Sequence, residues 1–557
     1  MENEGSRVGR RHFLVGLGST AAALGVGGGV AGAAGSGDQD SAGQPGNPAS
    51  ASPPSPQRDL ELDDIQGNVV AGFHQHHQAM VFISIPTASA GRAWLGALAP
   101  TVVSSAEVEA VRASFRSGES VPSSTWVNVA VSHSGLVALE RPDRELRRFP
   151  IAFREGMAAR SRRVGDTGSS APSNWPEPYR QRIDAVVIVA TDESADLAPA
   201  VERQRALATA AGVSVVHVQH GAARADEPGH EHFGFRDGVS QPGLRGFTAQ
   251  QNPDDDGQGL PGQDLLWPGE FVLGYPRQAG VGGGDQPGHV ARSGPGWTDN
   301  GSFLVFRRLT QDVAGFHSFI AETAAAQGLS EDLLGAKLVG RYKSGAPLTV
   351  AGERDVDPGW DDTSLLDEMA INDFEFEDDF EGTRVPLAAH IRKTYPRDQP
   401  TDDGGEEDTQ THRLLRRGIP FGESLVDGAD PSPVFPNDRG LLFLAYQWSI
   451  ERQFEHVQRR WVNDPDFPTN DAGQDPVIAQ SPATGEFALP GGRPDHVALM
   501  ARFVTTTGGE YFFQPSLSAL HVLADGAVEP VRSGERPPGN DRERGRPPQR
   551  ESGRRRG

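Results

Sequence analysis

Three short segments of the chain carry side chains that could bind a metal ion or move protons. The first places Asp237 close to Gly234 and Gly238, the second begins at His390, and the third contains Arg416. A carboxylate can accept and return a proton, and an imidazole is a common metal ligand. A guanidinium stays charged and stabilises developing negative charge. Held together, these groups could perform acid–base chemistry beside a bound metal.

Each of these residues also has an ordinary structural interpretation. An Asp between glycines is typical of an Asx turn, and the pair Arg416-Arg417 is typical of surface ion pairing. His390 follows an apolar run at residues 385–389, which would direct its ring into a buried cavity. A lone histidine there is nevertheless more often a core residue than a ligand. Taken singly, the three segments leave both interpretations open.

Taken together, the segments resemble the signatures of the dye-decolourising peroxidase family. Those signatures are Gly-x-x-Asp-Gly, then His-Ile-Arg-x-x-x-Pro-Arg, then Leu-Arg-Arg-Gly, and the chain has them in that order at 234–238, 390–397 and 415–418. Further stretches similar to the family lie at 64–68, 266–271, 301–307 and 440–447. The resemblance extends over residues 60–520, and linked motifs over that length are far more specific than a single glycine motif.

The resemblance implies an α+β fold of two ferredoxin-like halves, each an antiparallel sheet with helices, that enclose a haem pocket. The N-terminal half would comprise residues 59–225, and the C-terminal half, with the haem site, residues 226–525. It also implies a peroxidase with haem b as cofactor. Such an enzyme would reduce hydrogen peroxide and oxidise dye-like or phenolic donors through a ferryl intermediate.

The resemblance also implies roles for individual residues. His390 would be the proximal ligand of the haem iron, Asp237 the distal acid–base group and Arg416 the distal cation. The remaining predicted cofactor contacts are Gly234, Gly238, Arg392, Leu441 and Phe443. A carboxylate behind the other ring nitrogen of His390 would raise its donor strength. Glu451 is a candidate for that carboxylate by its place in the sequence, although exposure at the surface is its more common interpretation.

Two features depart from the family pattern. Gly418 stands where some relatives carry a distal asparagine, and a long acidic insertion separates Arg397 from Arg416. Both departures bear on the role of Arg416 rather than on that of His390.

Other functions remain open at this point. The chain could recover iron from haem or carry haem without turnover, whereas an adhesion protein would have no porphyrin pocket. An acid and a cation paired at the haem would favour the peroxidase, because a carrier needs neither. Bulky donors could be oxidised through Tyr446 or Trp448, although core packing is the more common role of such aromatics. The histidine groups at 74–77 and 230–232 lack the His-Glu-x-x-His spacing of zinc hydrolases.

Composition narrows the classes of partner and of metal ligand. The 557 residues carry 75 acids against 52 bases, a net charge of −23, which disfavours nucleic acid as a partner. The sequence contains no cysteine, which excludes disulfides, iron–sulfur clusters and thiolate-ligated haem. A bound metal must therefore be held by histidine or carboxylate. We expect hydrogen peroxide and an organic electron donor as partners, and a homo-oligomer is compatible with the sequence.

The two termini differ in composition from the rest. Residues 1–34 contain Arg10-Arg11 before a weakly apolar stretch rich in Gly and Ala, which resembles a twin-arginine export signal. The alternative is a short buried helix after a basic turn. Residues 35–58 are predicted to be a disordered linker and residues 526–557 a disordered basic tail. We therefore expect export to the periplasm, the cell surface or the medium, without stable membrane insertion after cleavage.

Periodic apolar segments predict the elements that must position the candidate residues. Apolar runs of strand length lie at 80–85, 126–131, 185–190, 213–218, 302–306 and 440–446. Helical spacing occurs at 195–210, 313–325 and 450–461. Residues 250–300 and 396–411 are predicted to be long loops, which are often functional or mobile. Their acidic runs, at 254–256 and 406–408, lack the spacing of a calcium loop and are expected to be solvated surface.

Overall fold

A computed structural model describes residues 59–119, 123–252, 255, 257–355, 371–402, 404–424, 438–480, 485–489, 496–499 and 502–528. The predicted export signal, the linker and the tail beyond residue 528 lie outside these residues, as do two positions of the acidic run at 254–256. None of the described helices has the length and apolar character needed to cross a membrane.

The first half of the chain folds as a four-stranded antiparallel sheet with helices packed on it. Its elements are, in chain order, β1 (His77–Ser84), α1 (Ala88–Leu98), α2 (Ser105–Arg116), β2 (Thr125–Ser132), α3 (His133–Ala138), α4 (Asp143–Leu146), α5 (Ile151–Glu155), α6 (Met157–Arg160), α7 (Glu177–Arg180), β3 (Ala185–Thr191), α8 (Ser194–Ala211) and β4 (Ser214–Ala222). The strand order is β4-β1-β3-β2. Every residue of β3 is buried, as expected of a continuous run of Val, Ile and Ala.

The second half repeats this arrangement with longer insertions. Its elements are, in chain order, β5 (Gly243–Leu244), β6 (Leu265–Leu266), β7 (Pro276–Gln278), β8 (Pro287–Val290), β9 (Ser302–Gln311), α9 (Val313–Gln327), α10 (Glu331–Val339), α11 (Leu348–Ala351), α12 (His390–Thr394), α13 (Glu406–Thr409), β10 (Leu415–Arg416), β11 (Ile419–Phe421), β12 (Gly440–Gln447), α14 (Phe454–His456), a π-helical segment (Val457–Val462), β13 (Gly485–Ala488), β14 (His496–Leu499), β15 (Val504–Gln514) and α15 (Leu517–Asp525). Its main sheet has the order β10-β12-β9-β15, with β11 also paired to β12.

The two sheets are hydrogen-bonded to each other through one strand of each half. Phe512 and Phe513 of β15 lie opposite Ser132 and Val131 of β2, so the path of strands is continuous. At the other edge β4 approaches β11, and a Cβ placed on Gly221 would lie 2.7 Å from the Ile419 side chain. The predicted α+β fold of two antiparallel halves is thereby confirmed, with the halves joined in one sheet around a shared core.

Differences between the predicted and the observed elements include three in the second half of the chain. The helix predicted at 450–461 begins only at Phe454, after a turn in which Ser449 N donates to Gln453 Oε1. The predicted loop at 250–300 contains the short strands β6 to β8. Strand β15 was not predicted, since its first half is polar and Gly508-Gly509 is typical of a turn.

Partial burial of Glu510 on β15 gives the first testable prediction. Its Oε1 accepts the amides of Met157 and Tyr511, and burial raises the pKa of its carboxyl group to about 7. The folded protein therefore binds this proton more tightly than the unfolded chain, whose Glu pKa is about 4.3. The stabilisation that comes from the protonated carboxyl group of Glu510 is fully present below its pKa in the unfolded chain. It is lost as the pH rises through its pKa in the folded protein.

Glu510→Gln keeps the oxygen that accepts both amides but cannot ionise. We expect the difference in the free energy of unfolding, variant minus wild type, to increase by about 3 kcal/mol as the pH rises from 4 to 8. Denaturant unfolding of both proteins at each pH measures the difference. A difference that does not change with pH would show that Glu510 does not titrate in this range.

Candidate active site

A cavity of about 260 Å³ opens in the second half of the chain. Side chains of β9 and β12, helix α12 and the loop after β4 form its walls. Apolar residues of its lining include Phe233, Phe235, Phe374, Phe376, Leu441, Phe443 and Phe454. His390, Asp237 and Arg416 line the same cavity, although they come from three distant parts of the sequence.

His390 is held by a carboxylate that the sequence did not reveal. It is the first residue of α12, and its Nδ1 lies 2.8 Å from Asp475 Oδ2. The side chain of His390 is 25% exposed, into the cavity, whereas that of Asp475 is fully buried. The second ring nitrogen, Nε2, is left for a ligand in the cavity. The imidazole thus has a fixed orientation and an anionic partner.

Asp475 is itself held in place by backbone groups. Its Oδ1 accepts hydrogen bonds from the amides of Val477 and Ile478 at 2.7 and 2.9 Å. Glu451, the candidate proposed from sequence position, instead accepts the amide of Ala152 at 2.8 Å and does not contact His390. The prediction that Glu451 stands behind the histidine is therefore wrong, because the chain after β12 turns this carboxylate toward α5.

Asp237 lies on a tight loop after β4. The loop is closed by hydrogen bonds from Asp237 N to Gly229 O and from Glu231 N to Phe235 O. Gly234 and Gly238 have φ of +97° and +74°, a conformation that side chains disfavour, so both positions suit glycine. Asp237 Oδ1 accepts the amide of Gly238 at 2.7 Å. Its Oδ2 makes no hydrogen bond to any residue that the structure describes.

Arg416, at the end of β10, brings a positive charge to this carboxylate. Its Nη1 lies 3.6 Å from Asp237 Oδ1, and its Nη2 donates to Ser240 O at 2.8 Å. Both side chains are about one-third exposed, which leaves them accessible from the cavity. The structure therefore brings together an acid and a cation that are far apart in the sequence.

The other predicted contacts separate into two groups. Gly238, Leu441 and Phe443 line the cavity, the latter two on the face of β12 opposite the buried Leu442 and Leu444. Gly234 and Arg392 do not belong to the lining.

Arg392 is buried away from the cavity. Its guanidinium donates to Val385 O at 2.8 Å, pairs with Asp379 and lies 4.3 Å from the ring centroid of Phe376. The predicted direct contact of Arg392 with a cofactor is therefore not supported by its position. The residue instead fixes the segment that leads into α12.

Five further arginines line the cavity and were not predicted as site residues, namely Arg236, Arg307, Arg341, Arg397 and Arg413. The hydrogen bonds of buried Arg341 go to neutral oxygens, those of Gly345, Ile371 and Asn372. Burial, together with the nearby charges of Arg397 and Arg416, lowers the pKa of Arg341 to about 9. The cavity thus has excess positive charge at one part of its wall, which favours an anionic ligand.

Three remaining candidates, Tyr446, Trp448 and His232, do not line the cavity. Tyr446 is fully buried, and its hydroxyl bonds Asn68 and Gln514. Trp448 donates from Nε1 to Glu270 Oε2 at 3.1 Å. His232 Nε2 bonds Phe421 O, and burial lowers its pKa to about 4. Within the described ranges no group of three His, Cys, Asp or Glu residues could hold a metal ion.

Comparison with known proteins identifies the family. Residues 64–225 match the model of the DyP dimeric alpha+beta barrel domain, and residues 284–493 match that of the Dyp-type peroxidase C-terminal domain. Peroxidase 2 of Mycetinis scorodonius is 34% identical over 486 residues, which cover 83% of this chain and 87% of that protein. A multifunctional dye peroxidase of Amycolatopsis sp. is 31% identical, with 83% and 96% covered.

Solved structures agree with these matches. An ancestral D-type dye-decolourising peroxidase superposes with a TM-score of 0.69 at 33% identity, and the match covers 83% of this chain and 99% of that structure. A variant of the dye-decolourising peroxidase from Pleurotus ostreatus gives 0.71 at 30% identity, with 84% and 100% covered. Together with the two family models, these likenesses show that the chain belongs to the DyP-type peroxidase family and is an oxidoreductase of the peroxidase class.

Proposed function

We propose that the protein is a haem b peroxidase that reduces hydrogen peroxide and oxidises dye-like or phenolic donors. The observation that carries the proposal is the presence, in one cavity, of the His390–Asp475 pair and the Asp237–Arg416 pair. The first pair would suit the binding of a haem iron, and the second would suit the handling of peroxide. A haem carrier or an iron-recovery protein has no need of the second pair, which favours the peroxidase.

The residues present fit a haem. An imidazole with one nitrogen fixed by a carboxylate is a common ligand of haem iron, and Nε2 is the donor that His390 would offer. Aromatic and aliphatic side chains form much of the cavity wall and suit an apolar macrocycle. Arg341, whose hydrogen bonds go to neutral oxygens, and its neighbour Arg397 suit the two carboxylates of a haem.

His390 would hold the iron, and Asp475 would keep its ring oriented and electron-rich. When bound, haem supplies an iron that binds peroxide and accepts its oxidising equivalents. Asp237 Oδ2 would take the first proton of hydrogen peroxide and return it to the leaving oxygen, directly or through one water. The guanidinium of Arg416 would stabilise negative charge that develops as the O–O bond breaks.

The visible absorption spectrum tests the proposed function directly. Protein expressed with sufficient haem is expected to show a Soret band that changes on adding one equivalent of hydrogen peroxide and returns on adding a dye donor. Release of free porphyrin without oxidation of the donor would instead support iron recovery. Protein that stays colourless after reconstitution with haem would overturn the proposal.

Asp475→Asn tests the partner of His390. Asparagine keeps the shape of the side chain but removes the negative charge that faces Nδ1. We expect affinity for haem or peroxidase activity to fall about 10- to 100-fold, with a higher reduction potential of the iron. Haem titration and potentiometry measure these changes. Asp471→Asn is the matched control, because Asp471 is exposed in the preceding turn with φ of +61°, which asparagine tolerates.

We also propose export through the twin-arginine pathway, which rests on residues 1–34 alone. The Arg10-Arg11 pair supports it, since this pathway reads paired arginines and carries folded proteins. Replacing both arginines by lysine in the full-length protein is expected to retain it in the cytoplasm of a host with the pathway. Secretion unchanged by that replacement would contradict the proposal.

A further inference from the structure

Tyr395 directly follows helix α12 and contributes to the wall of the cavity. Its position is one that the family signature leaves open, so the signature assigns it no role. The chain has six tyrosines, all of them described, and among them Tyr395 alone lines the cavity. It is therefore the tyrosine placed to exchange electrons with a ligand bound by His390.

The hydroxyl of Tyr395 donates a hydrogen bond to the carboxylate of Asp264. The same carboxylate accepts Arg413 Nη1 at 2.6 Å, which holds it in position, and its side chain is only 10% exposed. Burial, and then the charge of Asp264, raise the pKa of Tyr395 well above its usual value. The phenol is therefore neutral in the resting protein and has a base in direct contact.

Two guanidinium groups lie over the ring of Tyr395. Arg413 Cζ is 3.5 Å and Arg397 Cζ 5.4 Å from the ring centroid. Positive charges over the ring disfavour a ring that itself becomes positive, by the same electrostatics that make these contacts favourable for a neutral ring. Loss of an electron from Tyr395 must therefore be accompanied by loss of its proton.

We propose that Tyr395 is a redox-active residue that gives one electron to the oxidising equivalent left in the cavity by peroxide reduction. The phenolic O–H bond breaks, the proton goes to Asp264, and a neutral tyrosyl radical remains. A one-electron donor then reduces the radical, and Asp264 returns the proton. This inference rests on the proposed haem peroxidase function, which supplies the oxidant.

Tyr446 provides a matched control within the chain. Its hydroxyl contacts Asn68 Nδ2 and Gln514 Oε1, both neutral amides, so it has no carboxylate to accept a proton. It is also fully buried and absent from the cavity lining. Tyr395 and Tyr446 therefore differ in the two features on which the inference depends.

The experiment is electron paramagnetic resonance of haem-loaded full-length protein, frozen shortly after mixing with one equivalent of peroxide without donor. Wild type is expected to give an organic radical signal whose splitting changes when tyrosine is deuterated at Cβ. Tyr395→Phe should lose most of that signal, Asp264→Asn should diminish it, and Tyr446→Phe should retain it. Visible spectra of all variants should still show bound haem.

Two results would overturn the inference while leaving the proposed function intact. One is wild type that binds haem and reacts with peroxide but yields no tyrosine-derived signal. The other is a signal that persists in Tyr395→Phe, whether or not Tyr446→Phe removes it. Wild type that binds no haem would overturn the proposed function and, with it, the inference. A spin-trap adduct mapped by mass spectrometry to the peptide containing Tyr395 gives an independent readout.

Discussion

Replacing His390 with alanine is expected to weaken haem binding more than about a hundredfold, beyond the loss typical of changes behind a metal ligand. Two histidines line the cavity, His390 and His412. His412 Nδ1 forms a hydrogen bond with Arg452 O, and its Nε2 lies 3.4 Å from Asp408 Oδ2. Only His390 thus has a ring nitrogen free to face the cavity. Titration of haem, followed at the Soret band, measures the loss.

Added imidazole should restore part of the spectrum in His390→Ala, because a small ligand can enter the space left by the ring. His412→Phe is the matched control, since phenylalanine preserves the stacking on His456, whose ring centroid is 3.8 Å away. That variant should bind haem with the wild-type spectrum. A wild-type spectrum in His390→Ala would show that His390 does not hold the iron and would contradict its proposed role.

The second large effect is expected for Asp237→Asn. Asparagine fills the same space and keeps an oxygen for the amide of Gly238, but it cannot take a proton from peroxide. General acid–base catalysis contributes about 10²- to 10⁴-fold, so kcat/KM for hydrogen peroxide should fall by that order. The haem spectrum of the resting protein should not change. Stopped-flow measurement of the reaction with peroxide gives the rate without interference from the donor.

Controls separate loss of the proton acceptor from distortion of the loop. Asp237→Glu should recover part of the rate, because it restores a carboxylate at a slightly different position. Asp226→Asn changes an acid that bonds Arg224 outside the cavity and should leave the reaction with peroxide unchanged. If Asp237→Asn reacts at the wild-type rate, proton transfer must belong to another group, and Glu231, which also lines the cavity, would be the next candidate.

The sequence predicted strands β9 and β12 of the cavity wall and several elements of the first half, because each is encoded by a local pattern. Strand β3 is a continuous apolar run, and α8 has helical spacing over its whole length. Strand β15 shows where this reasoning fails. Its polar first half and Gly508-Gly509 are typical of a turn, and only pairing with β9 and β2 makes the segment a strand. Burial between neighbours can override local preference.

By itself the sequence determined the motifs at 234–238, 390–397 and 415–418, the resemblance they carry and the α+β class. Only the tertiary structure decided which charged side chains contact each other. Asp475 stands behind His390 although 85 residues separate them, whereas Glu451 turns toward α5 and Arg392 is buried away from the cavity. The reason is physical: periodicity records which face of an element is buried, but contacts between distant side chains depend on how the strands pair and the connections run.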